Sequence, residues 1–148
     1  MNKLLAVRAK LTMPNSKLVL DLADVKKIAA AAEAEALAQG WAVSIAIVDD
    51  GGHLLWLQRL DGASALSSHV APAKAHAAAI GRRETKMHAD AIDGGRFSLL
   101  TLPDVSGLLE GGIPIVHNGQ PIGAVGVSGV KSSEDAQIAR AGIAALPL

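Results

Sequence analysis

WAVSIAIVDDGGHLLWLQRL, residues 41–60, decides how this chain folds. Val43, Ile45 and Ile47 alternate with Ala42, Ser44 and Ala46, the period-two pattern of a strand with two different faces. Asp49-Asp50-Gly51-Gly52 then supplies turn chemistry: glycine accepts positive φ, and an Asp side chain bonds the local backbone. His53 to Leu60 runs back as a second arm, so the stretch reads as a β-hairpin. Arg59, with Asp61 and Gly62 just beyond, closes it with a charge pair at a sheet rim, a place where ligands sit.

Outward from the hairpin, the preceding segment is a helix over 21–39. Asp21 is its N-cap, Leu22, Val25, Ile28, Ala29, Ala32 and Ala36 form its apolar stripe, and Gly40 ends it. Before it, Leu18 to Leu20 reads as a short edge strand and Pro14-Asn15-Ser16 as loop. After the hairpin comes a second helix over about 67–82, with Ser67 or Ser68 as cap, Pro72 in a first turn or at a kink, and many alanines. Glu84 to Ile92 is a shorter helix, Asp93-Gly94-Gly95 breaks it, and 96–110 reads as irregular. Ile113 to Val116 and Pro121 to Val130 are the arms of a second hairpin, turned by Asn118-Gly119. Gly123, Gly126 and Gly129 in the last arm require a helix, a ligand or another subunit to come very close. Ser132 or Ser133 caps a final helix whose first turn carries Glu134 and Asp135. Two hairpins with flanking helices define an α+β fold on an antiparallel sheet.

Composition narrows the function. The chain has 148 residues, enough for one domain with a real core. Half the residues are apolar, yet there are one Phe, two Trp and no Tyr, so the core is aliphatic and alanine-rich. A formal net charge of zero and scarce aromatics argue against nucleic acid. Without Cys there is no disulfide, thiolate metal site or thiol nucleophile. The apolar run before Arg8 is too short for a signal peptide, and no run is long enough to span a membrane, so the expected location is cytoplasmic.

Chemistry concentrates in few places. The glycines of the last strand lack the spacing and context of a phosphate loop. His69 and His76 stand seven apart, on one helix face if the helix runs through Pro72; a dedicated zinc pattern is missing, while a single axial haem ligand has no spacing signature. Arg59, Asp61 and Lys74 form a charged set. Either Arg59 and Lys74 hold a carboxylate or propionate at the rim, or the set is a structural ion pair through Asp61. No Ser-His-Asp order or nucleophile elbow is present.

VSIAIVDDGGHLLWLQRLDGA, APAKAHAAA, LEGGIPIVHNGQPIGAVGVSG and EDAQIARAG, in this order over residues 18–145, resemble the GlcG/HbpS family (the DUF336 domain). The resemblance implies a profilin-like three-layer α-β-α fold with a central antiparallel sheet, and homo-oligomers from dimers to octamers. It implies binding of haem or another small molecule in some members, and a place beside enzymes of small-acid or aromatic catabolism in others. On the family pattern the pocket is built by Arg59, Asp61, Lys74, Gly112 and Pro114. The position that often reads Arg after Lys-Ala is His76 here. The reading is therefore a non-catalytic haem or small-molecule binder, with His69 or His76 as iron ligand; its alternative is an enzyme or accessory factor acting on a small carboxylated catabolite.

Overall fold

A computed structural model describes residues 14–148, so the apolar run before Arg8 lies outside the described residues. The elements are α1 (Leu22–Gln39), β1 (Ser44–Asp49), β2 (Leu54–Arg59), α2 (Ser67–Gly81), α3 (Thr85–Asp93), a 3-10 turn (Phe97–Thr101), β3 (Gly112–His117), β4 (Gln120–Ser128) and α4 (Ser132–Ile143). The four strands form one antiparallel sheet in the order β2-β1-β4-β3. The two hairpins thus join through β1 and β4, and among the described residues β2 and β3 are the edges.

β1 is central, and its residues 44–48 are buried on both faces. Ile45 and Ile47 face α1 and α4 in the main core, with Val25, Ile28, Ile115, Val125 and Ile138. Ala46 and Val48 face α2, packing on Ala71, Ala75 and Ala78. This makes three layers, α1 and α4, then the sheet, then α2. Alanine on α2 lets it lie almost on the backbone of β4. A Cβ at Gly126 would meet the Ala71 carbonyl oxygen at 2.1 Å, which identifies the helix as what the glycine-rich strand makes room for.

Local chemistry explains most boundaries. The Asp21 carboxylate accepts from Asp24 N at 2.8 Å, and Gly40 takes a left-handed φ of 70° where α1 stops. The Asp49 carboxylate accepts from the amides of Gly51 and His53, each at 2.9 Å, and so shapes the first hairpin loop. Asn118 and Gly119 both have positive φ, as a two-residue hairpin turn requires.

Four expectations are corrected. Leu18–Leu20 forms no strand. Leu22 is exposed, because the buried stripe of α1 begins at Val25. Ser67 and Ser68 do not cap α2: a turn from Ser64 leads directly into it, so the hydroxyls of Ser67 and Ser68 donate to Ser64 O and Ala65 O. The N-cap of α4 is Lys131, whose amide donates to Glu134 Oε2, and not Ser132 or Ser133. α2 runs through Pro72 to Gly81.

Candidate functional site

The side chains of α2 divide by helical geometry into a sheet-facing set and two flanks. On one flank, Ala77 packs with Leu99 and Leu108 toward the β3 side of the molecule. On the other lie His69, Pro72, His76 and Ile80. Hydrogen bonding fixes the direction of this second flank. His76 Nδ1 lies 3.1 Å from the Gly52 carbonyl oxygen in the β1–β2 loop, and Ile80 also abuts Gly52. His69 and His76 therefore share a flank that faces the β2 side.

β2 is an edge strand, beyond the cover of α2. Leu57 pairs with Ala46 and Arg59 with Ser44. Ala46 packs under α2, and the Ser44 hydroxyl lies 2.8 Å from the Ser67 hydroxyl of α2. Leu57 and Arg59 thus project on the α2 side of the sheet. Leu54 pairs with Val48, which also faces α2, after a bulge that leaves Leu55 unpaired. The result is an open shelf: Leu54, Leu57 and Arg59 form its floor, and His69, Pro72, His76 and Ile80 form its wall. Leu54, Leu57 and Ile80 are exposed there.

The imidazole of His76 is chemically specified. A carbonyl oxygen only accepts, so the bond to Gly52 requires the proton on Nδ1. In the neutral ring, Nε2 is then a lone-pair donor, the form in which histidine ligates metals, with its other nitrogen held by a second-shell acceptor. His69 is exposed, and its imidazole has no hydrogen-bond partner among the described residues.

The other expected site residues go elsewhere. Lys74 does not face outward. It is buried, and its Nζ donates to Asp135 Oδ2 at 2.9 Å and Val127 O at 3.0 Å. The structural ion pair is therefore Lys74–Asp135, not one through Asp61. Burial pushes the Asp135 carboxyl up, against the opposing hydrogen bond and charge of Lys74. Gly112 is buried beneath α2, where a Cβ would strike the Lys74 carbonyl, so no ligand reaches it. Pro114 is half-buried in edge strand β3. Asp61 lies in a cleft of about 330 Å³ with Glu33, Trp41 and Leu60, beside α1. A larger cleft of about 490 Å³, between α3 and the 107–110 loop, contains none of the expected site residues.

Arg59, His69 and His76 thus lie along one shelf, whereas Asp61, Lys74, Gly112 and Pro114 do not. Among the described residues, no group of three or more His, Asp or Glu side chains is placed to hold a metal ion. No helix among them is long and apolar enough to cross a membrane.

An antiparallel α-β-α layer with a histidine-bearing helix beside an open edge strand defines the class. The chain belongs to the HbpS-like family: the family described as "Haem degrading protein HbpS-like" matches residues 20–144. Protein GlcG of Escherichia coli (strain K12) is 45% identical over 113 residues, which are 76% of this chain and 84% of GlcG. A double mutant of Streptomyces reticuli HbpS, solved by crystallography, superposes with a TM-score of 0.83 at 33% identity, covering 91% of this chain and 92% of that one. The crystal structure of the PduOC:heme complex superposes with a TM-score of 0.80 at 28% identity, covering 88% of this chain and 96% of that one. These likenesses bear out the α+β architecture expected from the two hairpins.

Proposed function

We propose that this protein binds haem or a related tetrapyrrole on the α2–β2 shelf, where His76 Nε2 would ligate the iron. The observation that carries this reading is the bond from His76 Nδ1–H to the Gly52 carbonyl, which leaves Nε2 free and oriented. The remaining shelf residues fit the same group. Leu54, Leu57 and Ile80 offer an apolar face to a flat macrocycle, and the Arg59 guanidinium suits a propionate. Family membership and the haem complex of PduOC support the choice of ligand. Haem held there would supply a redox-active iron. The chain itself contributes the ligand lone pair, the apolar surface and the cationic anchor.

Lys74 has no part in this reading, since its ammonium is committed to Asp135. We also infer a homo-oligomer: a second copy closing over the open shelf would bury what the macrocycle leaves uncovered of Leu54 and Leu57, together with Leu55 on the same edge strand.

Haemin titration followed by absorption, with the solution mass recorded alongside, tests both parts. The expected result is a sharp, saturable Soret shift that His76→Ala abolishes and His69→Ala retains. An unchanged spectrum in His76→Ala would overturn the ligand assignment, and a monomer mass would overturn the oligomer.

A further inference from the structure

Arg82 and Arg83 at the far end of α2, and Arg96 just past α3, stand without carboxylate partners. The ion pairs among the described residues are Lys17–Asp50, His53–Asp49, Lys74–Asp135, Lys86–Asp90 and Arg140–Glu84, and none uses Arg82, Arg83 or Arg96. In a chain of zero formal net charge, this is a local excess of one sign. Backbone geometry concentrates it. α2 stops at Arg82, which holds a left-handed φ of 53° at a C-cap position where glycine is the usual residue. Arg83 follows at once, and its Nε donates to Gly81 O at 3.3 Å, folding the side chain back over the end of the helix.

α3 delivers a fourth group to the same place. A Cβ at Gly81 would lie 3.3 Å from His88 Nε2 and 3.9 Å from Arg83 Cγ. The imidazole and the Arg83 side chain therefore flank a bare stretch of backbone. Arg96 returns to this side of α3, because its amide donates to Ala91 O at 2.9 Å, one turn beyond His88 on the helix. Arg83 and Arg96 are exposed, and His88 is partly buried. Burial first, then the charges of Arg83 and Arg96, hold the imidazole below the usual histidine range. The nearest carboxylate in sequence, Glu84, is engaged by Arg140 at 2.8 Å.

We propose that Arg83, His88 and Arg96 form a binding site for a compact dianion, a phosphate monoester or a short dicarboxylate, separate from the α2–β2 shelf. Two guanidinium groups supply planar donor forks for oxyanions. Gly81 leaves space at the floor, and the imidazole adds a donor that gains its proton as the anion arrives. A dianion would offset the like charges of the two arginines and of His88 once protonated, and no ion pair among the described residues engages Arg83 or Arg96.

The test follows the His88 imidazole by NMR titration in the full-length protein, using inorganic phosphate and malonate as probes and sodium chloride at matched ionic strength as control. The expected result is a saturable upward movement of the His88 midpoint with one or both probes. Affinity should fall ~10-fold or more in Arg83→Gln/Arg96→Gln. Both arginines are exposed, so that variant keeps the fold, which circular dichroism checks. A response to phosphate alone identifies a phosphate monoester, and one to malonate alone a dicarboxylate. No response beyond that to chloride, or a response retained in the double variant, would overturn the proposal.

Discussion

Lys74 Nζ lies 2.9 Å from Asp135 Oδ2, and each side chain is only 2% exposed. The contact joins α2 on one face of the sheet to α4 on the other. It passes the end of β4, where Val127 O accepts a second bond from Nζ and the Val130 amide donates to Asp135 Oδ1. Gly111 is what lets it through: a Cβ there would come within 2.8 Å of Nζ. The pair holds the outer layers in register around the sheet, and it removes Lys74 from the ligand-binding set.

Breaking this pair from one side leaves a buried, uncompensated charge. Lys74→Met is expected to lose about 3–5 kcal/mol of stability near neutral pH, measured by urea unfolding. The loss should shrink in acid. Without Lys74, burial, the largest cause, and the charge of Glu134 raise Asp135 against only the Val130 amide bond, and its folded pKa stays above the unfolded value. The penalty is then full above the folded pKa and is relieved as pH falls toward the ordinary carboxylate range. Lys74→Met/Asp135→Leu should recover much of the loss, since no charge remains buried. A Lys74→Met loss independent of pH would show that packing, and not the stranded carboxylate, carries the effect.

Gly126 reports the closeness of α2 to β4. Its Cβ would lie 2.1 Å from Ala71 O and 2.4 Å from Ala75 N, both backbone atoms that no rotamer can move. Gly126→Ala should therefore cost about 3 kcal/mol or more, by forcing helix and sheet apart. Gly40→Ala is the contrast. Nothing lies within 4 Å of its Cβ, and only the left-handed φ of 70° opposes it, so about 1 kcal/mol is expected. Equal losses at the two positions would contradict the packing argument.

The legible parts of the fold were those written in adjacent residues. Asn118-Gly119 announced its hairpin, Asp49 its loop, and Asp21 with Gly40 both ends of α1, because each acts on backbone within a few positions of itself. The spacing of His69 and His76 likewise showed their common flank. Lys74 could not be read this way: its partner is 61 residues distant, and nothing in an alanine-rich segment distinguishes a buried lysine from a solvated one. The bond from His76 to Gly52 spans 24 residues and was equally hidden. Arg83, His88 and Arg96 share no local sequence pattern, because two chain reversals, at Arg82 and at Gly94-Gly95, bring their segments together. A cluster of cationic residues around helix ends was the one available signal.

Thr85 secures the approach to β3. It is buried at the start of α3; its hydroxyl donates to Leu109 O, and its oxygen accepts from the Gly112 amide at 2.9 Å. Thr85→Val preserves shape and removes both bonds, leaving the buried Gly112 amide without its acceptor and the Leu109 carbonyl without this donor. A loss of about 1–3 kcal/mol is expected, together with faster hydrogen exchange at the Gly112 amide. Unchanged exchange at Gly112 would place the amide with another acceptor.

The His76 assignment makes a prediction that needs no ligand. Its neutral ring should carry the proton on Nδ1, whereas an exposed histidine such as His69 has no carbonyl fixing either tautomer. Nitrogen-15 imidazole shifts at alkaline pH distinguish the two forms. The loop that supplies the Gly52 carbonyl is shaped by Asp49. Burial pushes that carboxyl up, but the amides of His53 and Gly51 and the His53 ring together hold it below its usual value. The sign follows from linkage: a depressed carboxylate contributes stability above its unfolded pKa, and that contribution is lost as pH falls through the folded value. Asp49→Ala removes the support at every pH. It should loosen the loop, weaken the bond from Nδ1 to Gly52 and shift His76 toward a mixture of tautomers, with haemin affinity falling in parallel. A His76 ring that keeps its Nδ1 proton in Asp49→Ala, yet loses haemin affinity, would separate the loop's effect from the tautomer and require that Asp49 act on the shelf by another route.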